Sequence, residues 1–209
     1  FEDWYHPELI KKHYKKESFE PLIVNAIDKI IDWLRKNDTH ATFFVVGELL
    51  EFKPELLDKI LENGHEIGFH TMFHNRLDET NYKEIFSDEL KKFSELTNKK
   101  SKGFRAPSFS LSSNTSWAID ILESHGYLYD TSIVPAKTRL YGVENAQHTP
   151  YFISSKSLEK NDVLGKLLEF PLLTTNFLSK QIPAGGGFYL RALPLGVIRS
   201  AINQINKIN

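Results

Sequence analysis

The sequence predicts an α/β fold with parallel strands, on two observations. Short apolar runs alternate with stretches of helical period along most of the chain, and the polar, chemistry-bearing residues recur just past the ends of the apolar runs. A length of 209 residues suits one domain with a full core, 1–209, better than two small ones. The chain opens at Phe1 without a Met and both ends fall in mid-pattern, so the domain is expected to be truncated at both ends.

In chain order, Phe1-Glu2-Asp3-Trp4 reads as a strand end followed by two acids and an aromatic turn. A helix is predicted from Ser18 to Asn37, with Ser18 as cap and Leu22, Ile23, Ala26, Ile27, Ile30, Ile31 and Leu34 at helical spacing. Ala41 to Val46 reads as an apolar run throughout, as expected of a strand covered on both faces. Pro54 opens a helix that Gly64 caps, and strand His65–Phe69 follows. A helix from Tyr82 to Thr97 is expected to turn Ile85, Phe86, Leu90 and Phe93 inward. Strand Gly103–Arg105 is stopped by Pro107. A helix around Trp117–Leu122 ends at Gly126, and strand Tyr127–Tyr129 delivers Asp130. From Val134 to Lys166 the pattern breaks into a polar excursion with a hairpin. A strand resumes at Leu167–Phe170, a glycine-rich loop spans Ile182–Arg191, and a closing helix from Pro194 is expected to turn Leu195, Ile198, Ala201, Ile202 and Ile205 inward.

The bulk composition removes whole classes of function. With 26 basic and 27 acidic side chains the net charge is −1, which offers no field for nucleic acid or an anionic membrane surface. There is no cysteine, so disulfides, thiolate nucleophiles and Cys-ligated metals are excluded and any metal must rest on His and carboxylate. No apolar run approaches the roughly 18 residues of a membrane span. A cytoplasmic location is slightly favoured, and oligomeric state is not legible.

The chemistry centres on His70-Thr71-Met72-Phe73-His74, two imidazoles four residues apart just past a predicted strand. His65-Glu66 and His70 are spaced one residue too far for the zinc-protease helix motif, so that reading is rejected. In parallel α/β folds the strand ends share one edge, so Asp3, His70, His74, Arg105 and Asp130 could converge from distant parts of the chain. A β/α barrel and an open sheet both allow this, and no G-x-G-x-x-G favours the second.

Glu2-Asp3, His70-Thr71-x-x-His74 and Arg105-Ala106-Pro107 together resemble the first three motifs of the polysaccharide deacetylases with a NodB-type domain. Phe1-Glu2-Asp3-Trp4, Arg105-Ala106-Pro107-Ser108-Phe109-Ser110, Tyr129-Asp130-Thr131-Ser132-Ile133, Glu169-Phe170-Pro171 and Gly185-Gly186-Gly187-Phe188-Tyr189-Leu190-Arg191 resemble the branch found beside exopolysaccharide and surface-glycan genes. The resemblance covers essentially the whole chain. It implies a single-domain distorted (β/α) barrel and a metal-dependent hydrolase that removes N-acetyl groups from sugar residues of a glycan, an amide rather than a peptide cleavage.

Carried over by residue, the resemblance implies Asp3, His70 and His74 as ligands of one divalent ion, first Zn2+. It implies Glu2 as catalytic base where the family often has Asp, Arg105 as the group orienting that base, and Asp130 as a later acidic motif matched loosely. The backbone N–H of Ser108 is expected to face the tetrahedral oxyanion. The family's histidine acid has no counterpart after His148, so it is expected beyond Asn209. Two other readings remain: an inactive glycan-binding homologue, and a non-haem Fe(II) oxygenase, which also uses two His and one carboxylate.

Overall fold

The computed structural model describes residues 22–177 and 180–207. Helix α1 (Leu22–Lys36) buries Ile23, Ile27, Ile31 and Leu34 along one stripe. Arg35 and Lys36 in its last turn complement the helix dipole. Asp38, at φ 50, then reverses the chain toward the sheet.

Six strands form one sheet: β1 (Thr42–Val45), β2 (Glu66–Phe69), β3 (Gly103–Phe104), β4 (Tyr129–Asp130), β5 (Tyr151–Ile153) and β6 (Leu167–Glu169). Their order is β1-β2-β3-β4-β6-β5, parallel from β1 to β6, with β5 antiparallel at the edge. Helices α2 (Gly47–Phe52), α3 (Glu55–Glu62), α4 (Tyr82–Leu96) and α5 (Trp117–Ser124) connect the parallel strands. The predicted α/β class with a largely parallel sheet is the observed one. Among the described residues the ladder runs from β1 to β5 without closing.

Two rows across the sheet explain its packing. Phe44, Gly68, Gly103, Tyr129 and Leu168 stand side by side. A Cβ on Gly68 would lie 2.6 Å from the Phe44 ring, and one on Gly103 would run into the Tyr129 ring, so the central glycines make room for the flanking aromatics. The next row, Val45, Phe69, Phe104, Asp130 and Glu169, alternates to the opposite face. There Phe69 is the hub of the core, with ring centroids 4.7 Å from Phe93, 5.8 Å from Phe104, 6.3 Å from Phe86 and 6.4 Å from Tyr127. Such pairs add about 0.5–1.5 kcal/mol each beyond the area they bury.

Several expectations shift. Helix α2 and the hairpin of β7 (Thr174–Phe177) and β8 (Lys180–Pro183) were not legible. The glycine-rich run is only partly a loop, because α6 (Gly187–Ala192) begins at its third glycine. In α4, Ile85 is 49% exposed while Glu89 is buried, so a carboxylate takes an inner position. In the closing helix α7 (Leu195–Ile205), Ile198 and Ala201 are buried, but Leu195 and Ile202 are 60% and 43% exposed. Glu2, Asp3 and the predicted cap Ser18 lie outside the described residues.

Gly103→Ala should destabilise the fold by about 1–3 kcal/mol, because the new methyl must displace a Tyr129 ring whose hydroxyl donates to Glu66 at 2.7 Å. Denaturant unfolding of the two proteins measures it. An unchanged midpoint would show that Tyr129 moves aside freely.

Candidate active site

The ladder continues one residue past each parallel strand. Backbone bonds run from His70 N–H to Val45 O (3.1 Å), Arg105 N–H to Phe69 O (3.0 Å) and Thr131 N–H to Phe104 O (3.1 Å). His70, Arg105 and Thr131 therefore stand side by side at the C-terminal edge of the sheet, on the face of Phe44 and Tyr129.

Cross-bonds lock this row. His70 Nδ1 lies 2.6 Å from the Arg105 carbonyl oxygen. A carbonyl only accepts, so Nδ1 carries the proton and Nε2 keeps its lone pair. Burial holds the His70 imidazole down, to about 3; the Arg105 carbonyl opposes that fall, while His74 and the Arg105 guanidinium add to it. The ring is neutral at physiological pH, the form that binds a metal. The His74 ring is 5.0 Å away at an interplanar angle of 65°, compatible with both imidazoles reaching one ion. Donation of the remote ring N–H to a backbone carbonyl is the usual support of a metal-ligating histidine. The pair thus fits a divalent ion. Among the described residues no third imidazole or carboxylate joins it, and Asp3 lies outside them.

The segment from His70 to Leu77, which carries both histidines, is held from three sides. The first N–H groups of α2 donate from Gly47 to Thr71 O (3.0 Å) and from Glu48 to Met72 O (2.9 Å). From α4, the buried Glu89 carboxylate accepts the Met72 N–H (3.0 Å) and the Tyr82 hydroxyl (2.6 Å). From the turn after β3, the Ser110 hydroxyl accepts the Leu77 N–H at 3.0 Å. Gly47 leaves room for Met72, since a Cβ there would overlap the Met72 sulfur and force that side chain to shift. Sequence reasoning missed these supports. Their only local signals were a glycine after an apolar strand and a Glu on the apolar face of a helix.

Arg105 donates from Nε to Thr131 O (3.2 Å) and from Nη2 to Thr131 Oγ1 (2.9 Å). Its guanidinium stacks 4.5 Å above the Phe44 ring and lies 5.9 Å from Phe109. Burial lowers the guanidinium pKa, and Asp130, Glu169 and Tyr129 counter that. Ser108 is exposed, and both Ser108 and Phe109 stand in left-handed backbone at φ 52. With Thr71 and His74, each at φ 59, four of the eight non-glycine residues with positive φ among the described residues fall in the two loops after β2 and β3. Strain of this kind costs about 1–3 kcal/mol per residue and persists where surrounding structure fixes it.

Asp130 is fully buried on the opposite face from Arg105. Its carboxylate accepts the Ser132 hydroxyl (2.6 Å) and the Ser132 N–H (3.1 Å), and Ser132 Oγ in turn accepts the Ala106 N–H (2.8 Å). Asp130 thereby fixes the Arg105-Ala106-Pro107 segment. Its cross-strand partner Glu169, also fully buried, accepts the Ile133 N–H at 3.0 Å and has one carboxyl oxygen, Oε2, with no protein donor. Two adjacent buried carboxyls cannot both ionise. Burial, then Asp130, push Glu169 well above its ordinary range, so Glu169 is the member of the pair that keeps a proton and can share it with Asp130.

Family comparisons divide the chain at Asp130. A model described as "Polysaccharide deacetylase" matches residues 18–129, and one described as "Domain of unknown function (DUF3473)" matches 131–209. The chain belongs to the polysaccharide deacetylase family. It is 37% identical over 81 residues to a peptidoglycan-N-acetylglucosamine deacetylase of Bacillus cereus, 38% of each chain. It is 32% identical over 108 residues to the peptidoglycan deacetylase-like protein FGM2 of Gibberella zeae, 50% of this chain and 31% of the relative. The matched stretches thus span well under half of those relatives' lengths. In fold, it is similar to a Mycobacterium smegmatis structure named as a polysaccharide deacetylase, at TM-score 0.60 and 21% identity over 88% of this chain and 60% of that one. The Puue allantoinase structure shares the fold at TM-score 0.51 and 20% identity over 70% and 43%.

The deacetylase-family chain should show a distinctive pH profile of stability. Glu169 is raised in the folded state, so its contribution is fully present below its ordinary value of 4.5 and is lost as pH rises toward its folded value. Gln at 169 mimics the protonated form, keeping both the Ile133 bond and a donor to Asp130. Glu169→Gln should therefore gain stability relative to wild type between about pH 5 and pH 8. Parallel denaturation profiles over that range would contradict the shared proton.

Proposed function

We propose that this chain is the catalytic unit, over 1–209, of a metal-dependent hydrolase that removes N-acetyl groups from sugar residues of a polysaccharide or glycan precursor. The observation carrying the reading is the His70–His74 pair, its lone pair directed by the Arg105 carbonyl, at the same sheet edge as Arg105. The relatives named as peptidoglycan deacetylases support an N-acetylated glycan as substrate. No helix among the described residues is long and apolar enough to cross a membrane.

On this reading His70, His74 and Asp3 hold one divalent ion, with Zn2+ preferred for a nitrogen and oxygen donor set. When bound, the ion supplies Lewis-acid polarisation of the acetamide carbonyl and acidifies the attacking water. Glu2 accepts the proton of that water, and Arg105 orients Glu2 by its planar guanidinium. The new C–O bond leaves negative charge on the former carbonyl oxygen, toward which the Ser108 backbone N–H donates. The C–N bond then breaks as the proton taken from the water passes to the departing nitrogen, and acetate and the free amino sugar result. Asp130 acts at one remove, through Ser132 and the Ala106 N–H.

Metal analysis and acetate release on the full-length protein test the reading. Wild type should bind one zinc ion and release acetate from N-acetylated oligosaccharides, whereas His70→Ala/His74→Ala should lose both. Full zinc content in the double variant would contradict the ligand assignment. Oxygen uptake by the iron-loaded protein without acetate release would point to an oxygenase instead.

A further inference from the structure

Four partly exposed aromatic rings form a contiguous ribbon leading away from Arg105. The Arg105 guanidinium lies 5.9 Å from the Phe109 ring. The Phe109 ring is 5.4 Å from that of Tyr141. Tyr141 and Tyr189 are close enough for their phenols to interact, and Tyr189 packs 5.2 Å from Phe188 with perpendicular rings. Phe188 is 68% exposed, and the other three are half-buried.

The backbone is shaped around this ribbon. Gly186, at φ 82, brings its chain to van der Waals distance of Phe109, since a Cβ there would stand 3.6 Å from the ring. Phe109 is itself held in left-handed backbone, a strained position for an aromatic residue. Nothing in the core needs these rings, because all four retain solvent exposure. Phe109 comes from the segment matched as polysaccharide deacetylase, while Tyr141, Phe188 and Tyr189 come from the segment matched as a domain of unknown function.

We infer that this ribbon is a sugar-binding subsite, on which pyranose rings flanking the reacting residue stack their C–H faces. The inference rests on the deacetylase reading for the class of ligand and assigns a task to the 131–209 segment. Two of the rings are phenols, so the surface presents apolar faces with polar tips, which suits a sugar ring edged with hydroxyls better than an aliphatic chain. Its continuity with Arg105 fits an oligosaccharide that runs outward from the reacting unit.

Calorimetric titration of the metal-stripped protein tests the inference without hydrolysis. The probes are N-acetylglucosamine and its β-1,4-linked tetramer. The tetramer should bind wild type about tenfold more tightly than the monomer. Phe188→Ser and Tyr189→Leu should lose most of that gain, while Trp33→Ser, a control at an equally exposed aromatic on α1, should keep it. A wild-type affinity independent of length, or tetramer binding unchanged in both ribbon variants, overturns the subsite. Length-independent sugar binding together with Phe188-dependent capture on phosphatidylcholine vesicles overturns it in favour of a lipid surface. If the tetramer behaves as expected but the metal-loaded full-length protein releases no acetate from it, the subsite stands and the deacetylase reading falls.

Discussion

The hydrogen bond from the His70 ring to the Arg105 carbonyl is the constraint on which the site depends. It joins the loops after two adjacent parallel strands, fixes which imidazole nitrogen is free, and exists only because the register aligns Phe69 with Phe104. The aromatic packing around Phe69 sets that register, so the hydrophobic core and the tautomer of a part-buried histidine at its edge are parts of one arrangement. The supports from α2 and Glu89 then remove the remaining freedom of the loop that carries His74. A site built this way is organised before any ligand arrives.

The border between the two family matches falls within the sheet. Strands β5 and β6 belong to the same ladder as β1 to β4, and Thr131, Ser132 and Glu169 from the second segment hold Arg105, Ala106 and Asp130 from or beside the first. The segment of unknown function thus completes the other side of the site. The fold alone does not name a substrate, as its occurrence in an allantoinase illustrates, and the chemistry must be argued from the side chains.

The sequence made the strand–helix alternation, the histidine pair and Arg105 legible, because periodicity and motif spacing are local properties. Asp130 shows where local reading stops. Its strand was expected at Tyr127–Tyr129 and lies at Tyr129–Asp130, and with a period of two that small slip decides which face a side chain takes. Asp130 therefore lies beneath the edge, bonded to Ser132, and not beside His70. Glu89, Gly47 and Glu169 owe their importance to partners 17 to 39 residues away, which no spacing rule reports. The three glycines gave a turn signal, but a short helix begins at Gly187, and because none of its residues is buried no apolar periodicity announced it.

The most direct test is nitrogen-15 NMR of the His70 ring in the metal-free protein. The neutral Nδ1–H tautomer should persist down to about pH 5, well below the range in which an ordinary histidine protonates. A ring that is charged at that pH, or that carries its proton on Nε2, would contradict the claim that the Arg105 carbonyl organises this histidine for a metal ion.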